Sequence, residues 1–177
     1  MPLNISSSIG ILGVDISSDV QFRTHLEDKV KLASKKLGVL NRSKRYFTAA
    51  QRLLLYKAQV RPHLEYCSHL WAGAPAYQLG PFDAVQKRAM RIVDDTKLTS
   101  GVEPLSQRRD FASLCVFYRL YNGVCSEELF ATFYHRTARH RARASSEIEG
   151  VHPHSLETGW SRTVRGQRNF LPRTLRL

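Results

Sequence analysis

Phosphoryl-transfer chemistry with two metals needs carboxylates that converge within a few ångström, and Asp94-Asp95 is the one adjacent Asp pair in the chain. It ends a helical pattern, with no strand before it, so the sequence predicts a solvated helix end. Asp15 stands alone after an apolar run. His63, Cys67 and His69 are close enough to suggest a metal site, and 63 and 67 share a helical face. Zinc would need a fourth ligand or an open catalytic position, and no HExxH or CxxC is present. The same Cys67 beside a histidine would be a nucleophile and base only with an orienting carboxylate, and none stands at a recognisable spacing. His135, His140, His152 and His154 are a looser set, read as part of a basic tail. Gly10-Ile-Leu-Gly13 reads as a strand with small residues, not as a phosphate cradle. The residues predict no catalytic and no metal site.

The cations form a better constellation. The 177 residues carry a net charge of +12, with a pI near 10.1. Such a balance favours an anionic partner. From Arg23 to Arg61 there are 11 Lys or Arg against 2 acidic residues; from Tyr66 to Phe130 there are 7 of each; from Ala131 onward there are 9 Arg against 3 Glu. Two basic segments therefore flank a neutral one. Lys31, Lys35, Lys36, Arg42, Lys44 and Arg45 fall on one helix face, its flank and the adjoining loop, and Arg61 closes the segment. These seven are the predicted nucleic-acid-binding residues. Tyr46 and Phe47 could stack on a base or sugar, but are read chiefly as core anchors.

These residues need helices to position them. Residues 9–16 (IGILGVDI) read as one buried strand or extended segment, and 17–19 as a turn. Thr24-His-Leu-Glu27 has the form of a capping box. Behind it Leu26, Val30, Ala33, Leu37 and Leu40 make a narrow apolar stripe with Lys31 and Lys35 opposite. Thr48-Ala-Ala-Gln51 is a second capping box. The helix after it is apolar nearly all round and should be central and buried, until Arg61-Pro62 ends or kinks it. Helix should resume over 63–71. Residues 73–81 (GAPAYQLGP) read as a loop. A third helix buries Phe82, Val85, Ala89 and Val93 and turns Lys87, Arg88 and Arg91 away. A fourth runs from about Leu105 to Tyr121, apolar on most sides, and stops at Asn122-Gly123. A short turn covers 126–130. Ala142 to Gly150 has no periodicity. Cys67, Cys115 and Cys125 read as buried, reduced thiols of an intracellular protein. Met1 and the residues after it show no signal peptide, and no apolar run approaches the roughly 20 residues of a membrane span.

Five segments carry a family resemblance: ILGV (11–14), KLASKKLGVLNRSKRYF (31–47), LLLYKAQVRPHLEYCSHLW (53–71), VQKRAMRIV (85–93) and RRDFASLCVFYRLYNG (108–123). In this order and spacing they resemble the C-terminal region of jockey-type, insect-like reverse transcriptases of LINE (non-LTR) retrotransposons. The resemblance covers about two-thirds of the chain and continues faintly through 135–141 and 170–177. It implies an RNA-directed DNA polymerase whose palm, with its magnesium-binding aspartates and F/Y-A-D-D turn, would precede Met1. The chain alone is therefore not expected to polymerise DNA, and it needs no cofactor of its own.

On that resemblance, 1–20 is the end of the palm, 21–130 a helical thumb and connection, and 131–177 a basic, poorly ordered tail. The expected fold is mainly α: a short N-terminal strand, a four- to five-helix thumb-like bundle, and a basic irregular tail. The expected partners are RNA, DNA or their hybrid, and the family's palm and fingers, with no membrane; the expected location is intracellular, the nucleus included. A polymerase must hold any sequence, so a thumb should contact phosphates instead of base edges. The alternatives are a non-enzymatic nucleic-acid-binding module and a decayed reading frame without function. The last predicts poor folding, because strands and helices that once packed on a palm would be exposed.

Overall fold

The structure, a computed structural model, describes residues 6–131 and 163–177. The chain is mainly helical, with one small sheet at its start. It divides into two compact units, Met1–Arg109 and Asp110–Leu177.

The first unit opens with an antiparallel hairpin, β1 (Ser8–Ile11) and β2 (Val14–Ser17), in which Ser8 pairs with Ser17 and Ile11 with Val14. The single buried strand expected over 9–16 is thus two strands. Leu12 and Gly13 both take positive φ, 49° and 78°, as a two-residue turn with right-handed strand twist requires. The burial expectation also fails: β1 is exposed throughout, and only Val14 of β2 is buried. The Tyr66 hydroxyl donates to the Leu12 carbonyl at 2.7 Å and ties the turn to the helices.

Helix α1 (Arg23–Ser43) supplies Leu26, Ala33, Leu37 and Leu40 to the core, as the stripe predicts. Its start differs from expectation. Phe22 occupies the N-cap, and Thr24 makes no capping box. Tertiary anchors set this end instead: Phe22 packs on the core, and buried His25 accepts a hydrogen bond at Nδ1 from the Asp15 amide, 3.2 Å away. Glu27 pairs with Arg23.

A 3-10 turn (Lys44–Tyr46) leads to α2 (Ala49–Leu55), where the Thr48–Gln51 capping box forms with both reciprocal bonds. This helix is not buried all round. Leu53 is buried, whereas Leu54 is exposed. The kink expected at Arg61-Pro62 is a π turn over Tyr56–Val60, in which the Arg61 amide reaches back five residues to the Tyr56 carbonyl. Proline cannot donate to the ladder and crowds the carbonyl four residues behind it; the widened turn accommodates both before α3 (Arg61–Glu65) continues. Cys67, at φ 51°, then breaks the helix, and α4 (Ser68–Trp71) follows.

The loop expected over 73–81 ends early. Helix α5 (Ala76–Val93) begins on Pro75 and carries Gly80 and Pro81 inside it. Pro81 removes one ladder bond, and burial of Phe82, Val85, Ala89, Ile92 and Val93 farther along offsets that loss. α1 packs on α5, on the π turn and on α3. Trp71 and Phe82 sit tilted at 5.1 Å between centroids, both buried, and Trp71 Nε1 donates to the Tyr66 carbonyl at 3.1 Å. Asp94 ends α5 in the left-handed region, and the Asp95 carboxylate caps the short α6 (Thr96–Thr99) through the Leu98 amide.

Helix α7 (Leu105–Tyr121) matches its expected span and passes from the first unit into the second. In the second unit it ends in a Schellman motif: Val124 N–H meets the Arg119 carbonyl and Gly123, at φ 70°, the Leu120 carbonyl. It is less buried than its composition suggests, since Phe111, Leu114, Cys115 and Tyr118 are exposed. Residues 127–131 are helical. Near the C-terminus the described residues form two short helices, Val164–Gln167 and Phe170–Thr174, and Arg173 holds the second against α7 by bonds to Asp110 (2.9 Å) and the Ser113 hydroxyl. The irregular stretch expected over 142–150 lies outside the described residues. The three cysteines are not buried: Cys67 and Cys125 are partly exposed and Cys115 is exposed.

Candidate nucleic-acid interface

The 21-residue helix α1 sets most of the geometry. At 100° per residue, Lys31, Lys35 and Arg42 fall within about 40° of one another and point away from the buried stripe. All three are exposed. Gly38 lies between them, and the Arg42 guanidinium passes 3.7 Å from where its Cβ would be. Lys44 and Arg45 follow in the 3-10 turn, also exposed.

Lys36 is on a different flank. It turns toward the π turn and approaches Gln59 Oε1 at 3.5 Å. Lys29 shares that flank, and both depress the His63 imidazole, whose pKa is lowered first by burial and then by these two ammonium groups. Arg61 stands apart again. Its guanidinium lies 3.4 Å from Glu65, which also receives two bonds from Arg108, at 2.5 and 3.0 Å. Arg61 thus belongs to a half-buried ion cluster that joins α3 to the start of α7.

The structure therefore brings five of the seven predicted residues into one surface region, puts Lys36 on its edge and gives Arg61 a carboxylate partner. Among the described residues, Lys35, Lys36, Arg42, Lys44 and Arg45 meet no carboxylate within ion-pair distance. Lys31 pairs with Asp28 at 3.1 Å, in a solvated geometry that is worth at most about 1 kcal/mol.

Tyr46 is 69% exposed, and Phe47 is exposed too, so neither is the core anchor that its type suggests. The Arg45 guanidinium covers the Tyr46 ring at 4.7 Å and donates to its hydroxyl. Lys29 joins the Lys36 flank, as helical phase on α1 indicates. Lys87, Arg88 and Arg91 form an exposed basic face on α5, turned away from its buried stripe as expected.

The other chemical candidates resolve into structural roles. Asp94 and Asp95 are the end of one helix and the cap of the next. His63, Cys67 and His69 do not gather: among the described residues no group of three His, Cys, Asp or Glu could hold a metal ion. His69, like His25, has its pKa lowered by burial. No helix of the described residues is long and apolar enough to cross a membrane. No protein-family model matches the chain, and no curated protein or solved structure is significantly similar to it.

Proposed function

We propose that this chain is the C-terminal, thumb-like region of a non-LTR retrotransposon reverse transcriptase, and that it grips nucleic-acid backbone without regard to sequence. The observation that carries the binding role is the outward face of α1 with its 3-10 extension, where Lys35, Arg42, Lys44 and Arg45 are exposed cations with no carboxylate partner among the described residues. Flexible, solvated cations on a rigid helix suit phosphates, whose contacts position a duplex and carry no sequence information. The family assignment rests on the five motif segments. The uncovered apolar hairpin, in which Leu12 is 86% exposed beside exposed Ile9 and Ile11, fits a strand that packs on a palm, in a working thumb region and in a decayed reading frame alike. In this reading polymerase chemistry and its magnesium belong to the palm, and an intracellular location, the nucleus included, would follow.

The test is binding of the purified chain to labelled RNA–DNA hybrid and to duplex DNA across a salt series. Each phosphate contact contributes about −0.9 to the log–log salt slope on duplex. Replacing Lys31, Lys35, Arg42, Lys44 and Arg45 together by Ala should flatten the slope by several units. A folded chain that fails to bind at about 50 mM salt overturns the grip.

A further inference from the structure

Between the first turns of α1 and the start of α5 lies a groove of about 360 Å³, at the lower end of the size of small-ligand sites. Its lining combines buried Leu26, half-buried Val30 and exposed Pro81 with Arg23, Lys31 and Tyr77, which form its polar rim. We propose that this groove seats one unpaired nucleobase of a single strand whose phosphates run along the outward face of α1; the proposal rests on the nucleic-acid reading above.

Three observations point to that occupant. The first is shape and surface. Tyr77 is 69% exposed at the groove's edge, and its ring, with the aliphatic lining, offers the flat apolar contact on which bases stack regardless of identity. The second is charge and its continuity. Lys31 belongs both to the rim and to the row that proceeds through Lys35 to Arg42, a run of about 16 Å at 1.5 Å per residue. A strand tracked by that row passes the groove mouth at Lys31. Among the described residues the rim cations are held by solvated pairs, Arg23 with Glu27 at 3.0 Å and Lys31 with Asp28 at 3.1 Å. Such pairs yield easily to a phosphate.

The third is the polar equipment of the rim. The Gln78 amide, which donates to the Tyr77 hydroxyl at 3.0 Å, and the Glu27 carboxylate both line the groove. They supply one group that can donate and accept and one that accepts, as the edge of a base does. A base inside a duplex has both faces stacked and its pairing edge occupied, so it cannot enter. The groove therefore adds affinity for single strands that the phosphate row, which serves both forms, does not.

The test compares the full chain with Tyr77→Ala and Tyr77→Phe, on single-stranded DNA and RNA and on duplex DNA of matched length and salt. Tyr77 is exposed, so both variants should fold as the parent does. Tyr77→Ala should weaken single-strand binding about 10-fold or more, leave duplex binding and its salt slope unchanged, and be rescued by Tyr77→Phe. Unchanged single-strand binding by Tyr77→Ala, or an equal loss on duplex, overturns the groove while leaving the backbone grip standing. No binding of either form by the parent chain overturns both.

Discussion

At the scale of single residues, burial raises the pKa of the Tyr56 hydroxyl and lowers that of three histidines. His25 is enclosed, its Nδ1 takes the Asp15 amide, and burial lowers its pKa. The Asp15 and Asp28 carboxylates oppose that shift and Lys29 assists it. His63 and His69 shift the same way. A lowered folded-state pKa means the native state prefers the neutral ring. The resulting stability is present above the unfolded value of about 6.5 and is lost as pH falls through the folded values. Thermal melts should therefore show a midpoint that drops as pH falls below about 6.5, with a shallower drop in His25→Gln. Glu65 offers a second test, because it serves Arg61 and Arg108 at once. Glu65→Ala leaves Arg61 without its carboxylate and Arg108 with Glu103 alone, at 3.2 Å, and urea denaturation should register a loss of about 1–3 kcal/mol.

At the scale of elements, local signals succeeded where the backbone solves its own problem and failed where distant packing intervenes. The Thr48 box formed because its four residues satisfy one another. The Thr24 box did not, because the hairpin and His25 hold the start of α1 by contacts that no four-residue window contains. Pro81 is a loop signal in the sequence, but the apolar residues after it hold α5 together. Within α1, Gly38 spends backbone entropy with no structural return: an added Cβ would meet only the mobile end of Arg42, at an ordinary 3.7 Å. Gly38→Ala should stabilise the chain by about 0.5–1 kcal/mol in denaturant unfolding. It should leave nucleic-acid binding intact.

At the scale of the whole molecule, the cationic row of α1 is a surface feature detached from the core. The α1 core stripe and the cationic row occupy opposite sides of one helix. The five-residue Ala variant of that row should therefore melt close to the parent, since each exposed substitution moves stability by about 0.5 kcal/mol or less, while losing affinity at low salt. A large drop in its melting midpoint would mean that these cations hold the fold, and would weaken the case for a binding face.

The sequence by itself determined the mainly helical class, the span of α7, the core stripe of α1 and the direction of its lysines. All of these follow from a periodicity of 3.6 and from local capping, which are complete within a dozen residues. Only the tertiary structure decided that residues 9–16 fold back as a hairpin, that Tyr46 and Phe47 face solvent, that Arg61 is taken up by Glu65, and that Tyr77 overlooks a groove beside Lys31. Each depends on residues far apart in the chain. Burial and ion pairing are decided by which surfaces meet, and that information lies in the packing of α1 against α5 and α3, not in any one segment.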